Sequence, residues 1–456
     1  MSNVSTKPAG GWGRFALAAY GPTTLSSVGH GAITPLVALS ALDLGASVEW
    51  SAFITGLTGI AQLLFDLPAS WVATRLGEKR ALVAACLWDA CFLMVAFRTS
   101  SLPLLCLAVF CFGLSGSVFW LARQSYITES VPIVVRARAL STLGGAARVG
   151  AFVGPLAGAG VIGHWNLSAA YAFASGVSVV AALVTLTLPD LPGTQPGRRP
   201  AGEDKLWTVL FRHRRVLATL GTGVAALSLV RAVRQAILPL WCESLGLSAS
   251  ATSLIFAVSM AVDMSLFFVG GSIMDRFGRM WVAVPSMVVL GLGLAALALA
   301  HQTSSVMIVA IVLGLGNGVG AGLIMTLGSD ASPSVGRPQF LAGWRLMSDV
   351  GMAAGPVLIG GIVRLTASLA AATAGLGAAA LVGAVWLGYG IHRYGAPRPR
   401  TRFSPDKTDA TSDLPASPSP PPPAPGGDCG EDGLAAPTRP ADPAGEEDSP
   451  ARAATT

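Results

Sequence analysis

Nine charged side chains interrupt the long apolar stretches of this 456-residue chain: Asp66, Asp89, Arg123, Arg148, Arg231, Arg234, Asp263, Arg345 and Asp349. A charge in an apolar medium is costly unless it is paired or wetted, so each marks a function or a fixed partner. Asp263, near the middle of its stretch, is the first candidate to carry a proton, and Asp349 is the second. A carboxylate that loses its guanidinium away from water is left to take up a proton instead. Arg231 and Arg234, three residues apart, share a helical face with Gln235 beside them. They could receive an anionic group or tie to acids elsewhere, while Arg234 could also snorkel outward. Trp120 and Tyr126 could stack on a substrate or serve as interfacial anchors. His30 could relay a proton, although a lone His is commonly a hydrogen-bonded packing residue. Asp89 reads as structural. With neither a nucleophile–base set nor a cluster at metal-ligand spacing, the expectation is no enzyme, no metal and no cofactor beyond a proton gradient.

The elements that position these residues follow from composition. Hydrophobic residues make up 52% of the chain and charged residues 12%, with mean hydropathy +0.61. Soluble domains carry about 25% charged residues. Apolar runs of about twenty residues recur, each long enough to cross a bilayer core of about 30 Å. The expected class is an all-α membrane protein with twelve spans, at about 16–41, 50–73, 81–97, 102–126, 140–163 and 168–188, then 216–241, 250–274, 281–300, 304–329, 340–363 and 368–391. Residues 1–15 form an N-terminal segment without the pattern of a cleaved signal peptide. The Pro- and Gly-containing stretch 189–215, with six Lys/Arg, is the expected linker. Residues 392–456, Pro-rich and acidic, read as a disordered tail. Cys86, Cys91, Cys106, Cys111 and Cys242 fall in or beside apolar runs, where Cys acts as a small hydrophobe, and Cys429 lies in the tail.

The two sets of six spans are copies. At a constant offset of 201, Gly45 matches Gly246, Arg75 matches Arg276, Gly77 matches Gly278 and Gly113 matches Gly314. Further on, Pro132 matches Pro333, Arg136 matches Arg337, Gly150 matches Gly351, Gly154-Pro155 matches Gly355-Pro356 and Gly160 matches Gly361. No gap is needed, so the chain is a tandem duplication of parallel membrane halves, an architecture of secondary transporters. Lys and Arg settle the expected orientation. With both termini cytoplasmic, the outside loops keep only Arg98 and Arg364. The net charge of +6 then reports topology, and no nucleic-acid partner is expected.

The loop Gly271-Ser-Ile-Met-Asp275-Arg276-Phe-Gly278-Arg279, echoed by Arg75 and Gly77, resembles the hallmark loop of the major facilitator superfamily. Gly154-Pro155 with Gly144, Gly150 and Gly158 resembles the fifth-helix motif of that superfamily's drug–proton antiporters, and Gly355-Pro356 is its echo. The resemblance covers about residues 15–391. It departs at Thr74 and Glu78 in the first loop, and at Val109, where many drug exporters carry an Arg. It implies loops that act as a gate, Gly-Pro sites that permit helix bends, and spans three, six, nine and twelve on the outside. All nine charges but Asp89 then fall on inner spans. It also places Asp66 beside Arg345 and Arg148 beside Asp263, two charge pairs across the domain interface, with an intrahelical Arg345–Asp349 contact as the alternative.

The reading that results is a monomeric alternating-access transporter of a bacterial plasma membrane. It exports small amphipathic molecules by proton antiport. The alternative, suggested by the surplus of buried Arg, is a proton-coupled importer of a small anionic solute.

Overall fold

The computed structural model describes residues 11–131, 133–188, 206–333 and 335–394, and all their regular structure is helical. Among the described residues, twelve helical stretches are long and apolar enough to cross a membrane. In the first half they are span 1 (Tyr20–Asp43), span 2 (Val48–Asp66), span 3 (Glu78–Arg98), span 4 (Leu102–Ser130), span 5 (Arg138–His164) and span 6 (Ala169–Leu186). The second half holds span 7 (Arg214–Ser244), span 8 (Ala249–Phe277), span 9 (Met280–Leu297), span 10 (Thr303–Ala331), span 11 (Gln339–Thr366) and span 12 (Leu369–Tyr394). The tail from residue 395 and most of the linker lie outside the described residues. Within the linker, Leu206–Arg212 forms a short helix packed on span 11.

Packing repeats between the halves. Span 1 lies on spans 5 and 6 as span 7 lies on spans 11 and 12. Span 4 lies on spans 2 and 3 as span 10 lies on spans 8 and 9. The halves meet along two long seams, span 2 against span 11 and span 5 against span 8.

Hydrocarbon offers no hydrophobic drive for helices to associate, so close backbone approach at small residues carries the packing. A Cβ at Gly150 would lie 2.4 Å from the Thr24 carbonyl oxygen, and one at Gly351 would lie 2.1 Å from that of Ala225. Gly113 faces the Thr58 carbonyl as Gly314 faces that of Ser259. Each of these pairs keeps the offset of 201. The duplicated glycines are therefore the points where duplicated helices touch. At the turns, Gly45, Gly246, Gly77 and Gly278 adopt φ of 85°, 72°, 80° and 99°, a region that L side chains rarely enter.

Two spans expected to be continuous are broken. Span 1 turns at Thr34-Pro35, between helices Gly11–Ile33 and Leu36–Asp43, because Pro35 has no N–H to give the ladder. Span 10 turns at Gly320–Gly322, ahead of helix Leu323–Ala331. By contrast, the helices run on through Pro155 and Pro356. The Pro356 ring packs at Gly56 on span 2, and the Pro155 ring packs at Gly31 on span 1.

Gly351→Ala should lower the thermal stability of the detergent-solubilised protein by the equivalent of about 1–3 kcal/mol, because the methyl has no room. Gly361→Ala, with no heavy atom within 4 Å of the new Cβ, should leave it unchanged or raise it by up to about 1 kcal/mol. A thermal scan of the two variants checks the difference.

Candidate functional site

The two seams carry the buried charges. Between spans 5 and 8, Arg148 Nη1 donates to Asp263 Oδ1 at 2.6 Å. The Asp263 carboxylate is 7% exposed and also accepts from Asn317 on span 10, while Arg234 Nη2 stands 3.8 Å away. Arg234 is 1% exposed; its Nη1 donates to Ser259 Oγ at 2.9 Å, and it does not snorkel outward. Arg231 donates to the Gly320 carbonyl at 2.6 Å, in the break of span 10, and lies within electrostatic range of Asp263, Arg148 and Arg234. Three guanidinium groups thus gather around one carboxylate. The Arg148 guanidinium also lies 4.6 Å above the Phe267 ring, one helical turn along span 8.

Between spans 2 and 11, Arg345 Nε donates to Asp66 Oδ2 at 3.0 Å and lies 3.6 Å from Asp349 Oδ2. The interdomain contact and the intrahelical one therefore coexist on a single guanidinium. Towards the end of the molecule away from the linker, this seam closes tightly. A Cβ at Gly59 would lie 3.0 Å from the Ala353 backbone, and one at Gly360 would lie 2.8 Å from the Glu49 carbonyl oxygen.

Two cavities lie between the halves. The central one, of about 160 Å³, is lined by His30 and Thr34 of span 1, Thr55 and Gln62 of span 2, Phe112 of span 4 and Gln235 of span 7, among others. His30 stacks on Phe112 with ring centroids 4.2 Å apart, and its Nδ1–H donates to the Ser26 carbonyl at 3.0 Å, which leaves Nε2 able to accept. The larger cavity, of about 540 Å³, lies toward the linker end between spans 4 and 11 and the Leu206–Arg212 helix. Asp66, Glu129, Arg345 and Trp207 are among its lining residues.

Of the residues expected to line a substrate cavity, only Gln235 does so in these two. Arg231 and Arg234 are held by Asp263, Ser259 and the Gly320 carbonyl instead, groups that accept from a buried guanidinium or oppose its charge. Trp120 packs edge-on to Phe119, and Tyr126 is buried in the first-half core 5.9 Å from Arg123. Arg123 itself is fully buried, donating from Nε to Thr23 Oγ1 at 2.9 Å. Asp89 is buried and accepts from Ser115 Oγ on span 4.

In the hallmark loop, Asp275 and Arg276 are exposed, and Arg276 lies over Phe277 at 5.3 Å. Arg75 lies over Trp71 at 4.5 Å. The loop's ion pair is Arg279 with Asp330, Nε to Oδ2 at 2.7 Å, at the linker end of span 10. Asp330, Asn317, Ser115 and Thr23 are partners that the sequence reading did not pick out. Asn317 was open to discovery as a lone polar amide in an apolar run. Asp330 fell one residue beyond the expected end of its span. Among the described residues no group of His, Cys, Asp and Glu could hold a metal ion.

The sequence profile of the Major Facilitator Superfamily matches residues 23–240 and again 220–425, once per half. The chain belongs to that superfamily. Among curated proteins it is similar to the multidrug resistance protein MdtG of Erwinia billingiae, at 26% identity over 162 residues; the match spans 35% of this chain and 39% of that protein. Among solved structures it is similar to a peptide transporter POT, with TM-score 0.68, 15% identity and coverage of 85% and 97% of the two chains. A bacterial homologue of the lysosomal transporter Spinster, in an inward-facing and unoccupied conformation, gives TM-score 0.62 at 17% identity over 83% and 95%. At these identities the structures speak for the major facilitator fold alone.

In this major facilitator protein, Asp263→Asn should lower the melting temperature more than Arg148→Gln, because it leaves three guanidinium groups without their acid. The double variant should recover part of the loss, with a coupling of about 0.5–3 kcal/mol. A double-mutant cycle read by thermal unfolding checks this, and additive losses would argue against the pair.

Proposed function

We propose that the chain is a proton-coupled exporter of small amphipathic molecules, working by alternating access in a bacterial plasma membrane with both termini in the cytoplasm. The observation that carries this reading is the pair of seams. Each joins the halves through an ion pair that must break for the halves to part, and each includes an acid able to take a proton when its guanidinium leaves. On this reading the linker end is cytoplasmic, and the larger cavity there receives solutes from the cell interior. Leu121, Leu210, Leu341 and Leu346 supply its apolar surface, and Asp66 and Glu129 supply polarity, a lining suited to amphipathic guests. The likeness to MdtG, named for multidrug resistance, supports export. Asp263, freed from Arg148 as span 5 moves from span 8, is the proposed proton carrier, with Asp349 in the same role on the other seam. The protein is proposed to act as a monomer in the lipid bilayer, with no cofactor but the proton gradient.

Import is the second reading, and one observation favours it. The group of Arg148, Arg231 and Arg234 around a single Asp263 holds surplus positive charge that an anionic solute could neutralise, and a solved relative in fold is described as a peptide transporter.

Inverted vesicles energised by an inward-acid gradient should accumulate lipophilic drugs with the wild type and lose gradient-driven accumulation with Asp263→Asn. Uptake of an anionic solute into right-side-out vesicles acidified outside, with no export in inverted ones, would establish import instead.

A further inference from the structure

We propose that Asp66 and Asp349 share one proton, forming a binding site for H+ in the seam between spans 2 and 11. The inference draws on the proposed proton coupling only in calling this proton the coupling ion; the site stands on its geometry.

Arg345 bridges the two acids: its Nε lies 3.0 Å from Asp66 Oδ2 and 3.6 Å from Asp349 Oδ2. The two carboxyl groups also lie within hydrogen-bonding reach of each other. Ionised carboxylates are acceptors only, so a hydrogen bond between two of them requires a proton on one. Asp349 Oδ2 is buried and accepts no hydrogen bond, which is the environment of an oxygen that carries the proton and donates to its neighbour. With that proton, one carboxylate, one carboxylic acid and one guanidinium sum to zero, the state an apolar seam favours. Without it, two like charges would face each other at short range, which paired carboxyl groups avoid.

Among the described residues, the lining of the site adds no second base. From span 4, Ser117 reaches Asp66, and Glu129 and Gln124 line the adjoining cavity. The Leu206–Arg212 helix adds Trp207 and Leu210 to that cavity, and on span 7 Ser228 hydrogen-bonds Ser348. Asp66 and Arg345 line the linker-end cavity, which gives the proton a path to the site from that side.

Comparison with the other seam sets the site apart. At the offset of 201, Asp349 corresponds to Arg148 and Asp66 corresponds to Phe267. Where spans 5 and 8 hold a guanidinium over a ring, spans 2 and 11 hold acid against acid. Only the second arrangement sets two acids close enough to share one proton.

The test is infrared difference spectroscopy of the reconstituted wild type titrated with pH, with no substrate present and no transport required. The expected result is a protonated-carboxyl stretch that is lost reversibly as the pH rises. Asp66→Asn and Asp349→Asn should each abolish that titrating band, since either leaves one acid paired with Arg345 and ionised. Asp263→Asn should keep it. Asp349→Glu, which retains the acid if the Asn variants fold poorly, should keep the band at a shifted frequency. A titrating band that survives either Asn change, or is unmoved in Asp349→Glu, overturns the proposal. A wild type that shows the band but no gradient-driven export in inverted vesicles would instead count against the export reading alone.

Discussion

A charge in the interior of a membrane protein must find a countercharge or a hydrogen-bonding group on whichever helix faces it, because neither lipid nor a distant water can serve. In this chain the facing helix, for the two best-placed acids, belongs to the other half. Asp263 on span 8 is met by Arg148 on span 5, and Asp66 on span 2 by Arg345 on span 11. The halves are thus held by contacts that are strong only while they stay together. Separation leaves charges to be satisfied by water, by a proton or by a solute. A protein whose interior charges paired within each half would lack that property, and its halves would part without consequence for any ion.

The backbone of the two halves obeys one plan while the side chains on it diverge. Close-approach glycines recur at the offset of 201 because the helix crossings recur, and a methyl group would disturb them equally in either copy. The charges inside the spans do not recur. Arg148 and Asp349 occupy duplicate positions with opposite sign, and Arg279 with Asp330 stands where the first half has Glu78 and Glu129. There Ser125 Oγ lies between the two acids, 3.2 Å from Glu78 and 3.4 Å from Glu129. Duplication supplied a symmetric scaffold, and substitution at a few facing positions made the two seams electrostatically different.

Much of this was legible in the sequence, for definable reasons. Span length is set by bilayer thickness, and the duplication is written in Gly and Pro, whose backbone roles tolerate few replacements. Pairing partners were legible where both members were charged and at matching depth, as with Asp66 and Arg345. They were hidden where the partner was a neutral polar residue or a backbone carbonyl. The Gly320 carbonyl became available to Arg231 only because span 10 breaks there, a local event that hydropathy does not register. Cavity walls were the least legible feature. Arg234 and Gln235 are neighbours in sequence, yet one is bound into the ion cluster and the other lines the central cavity. One residue of helix is a rotation of about 100°, enough to exchange those fates.

The central claim is that the halves rock against each other about the two seams. It is tested most directly by distance measurements between spin labels placed in a cysteine-free background. One pair, Arg80→Cys with Trp281→Cys, reports the linker end, and the other, Ser101→Cys with Gln302→Cys, reports the opposite end; all four positions are exposed duplicates at the offset of 201. On changing the pH in reconstituted membranes, the account predicts that one distance lengthens as the other shortens. Two distances that stay fixed, or that rise and fall together, would contradict it.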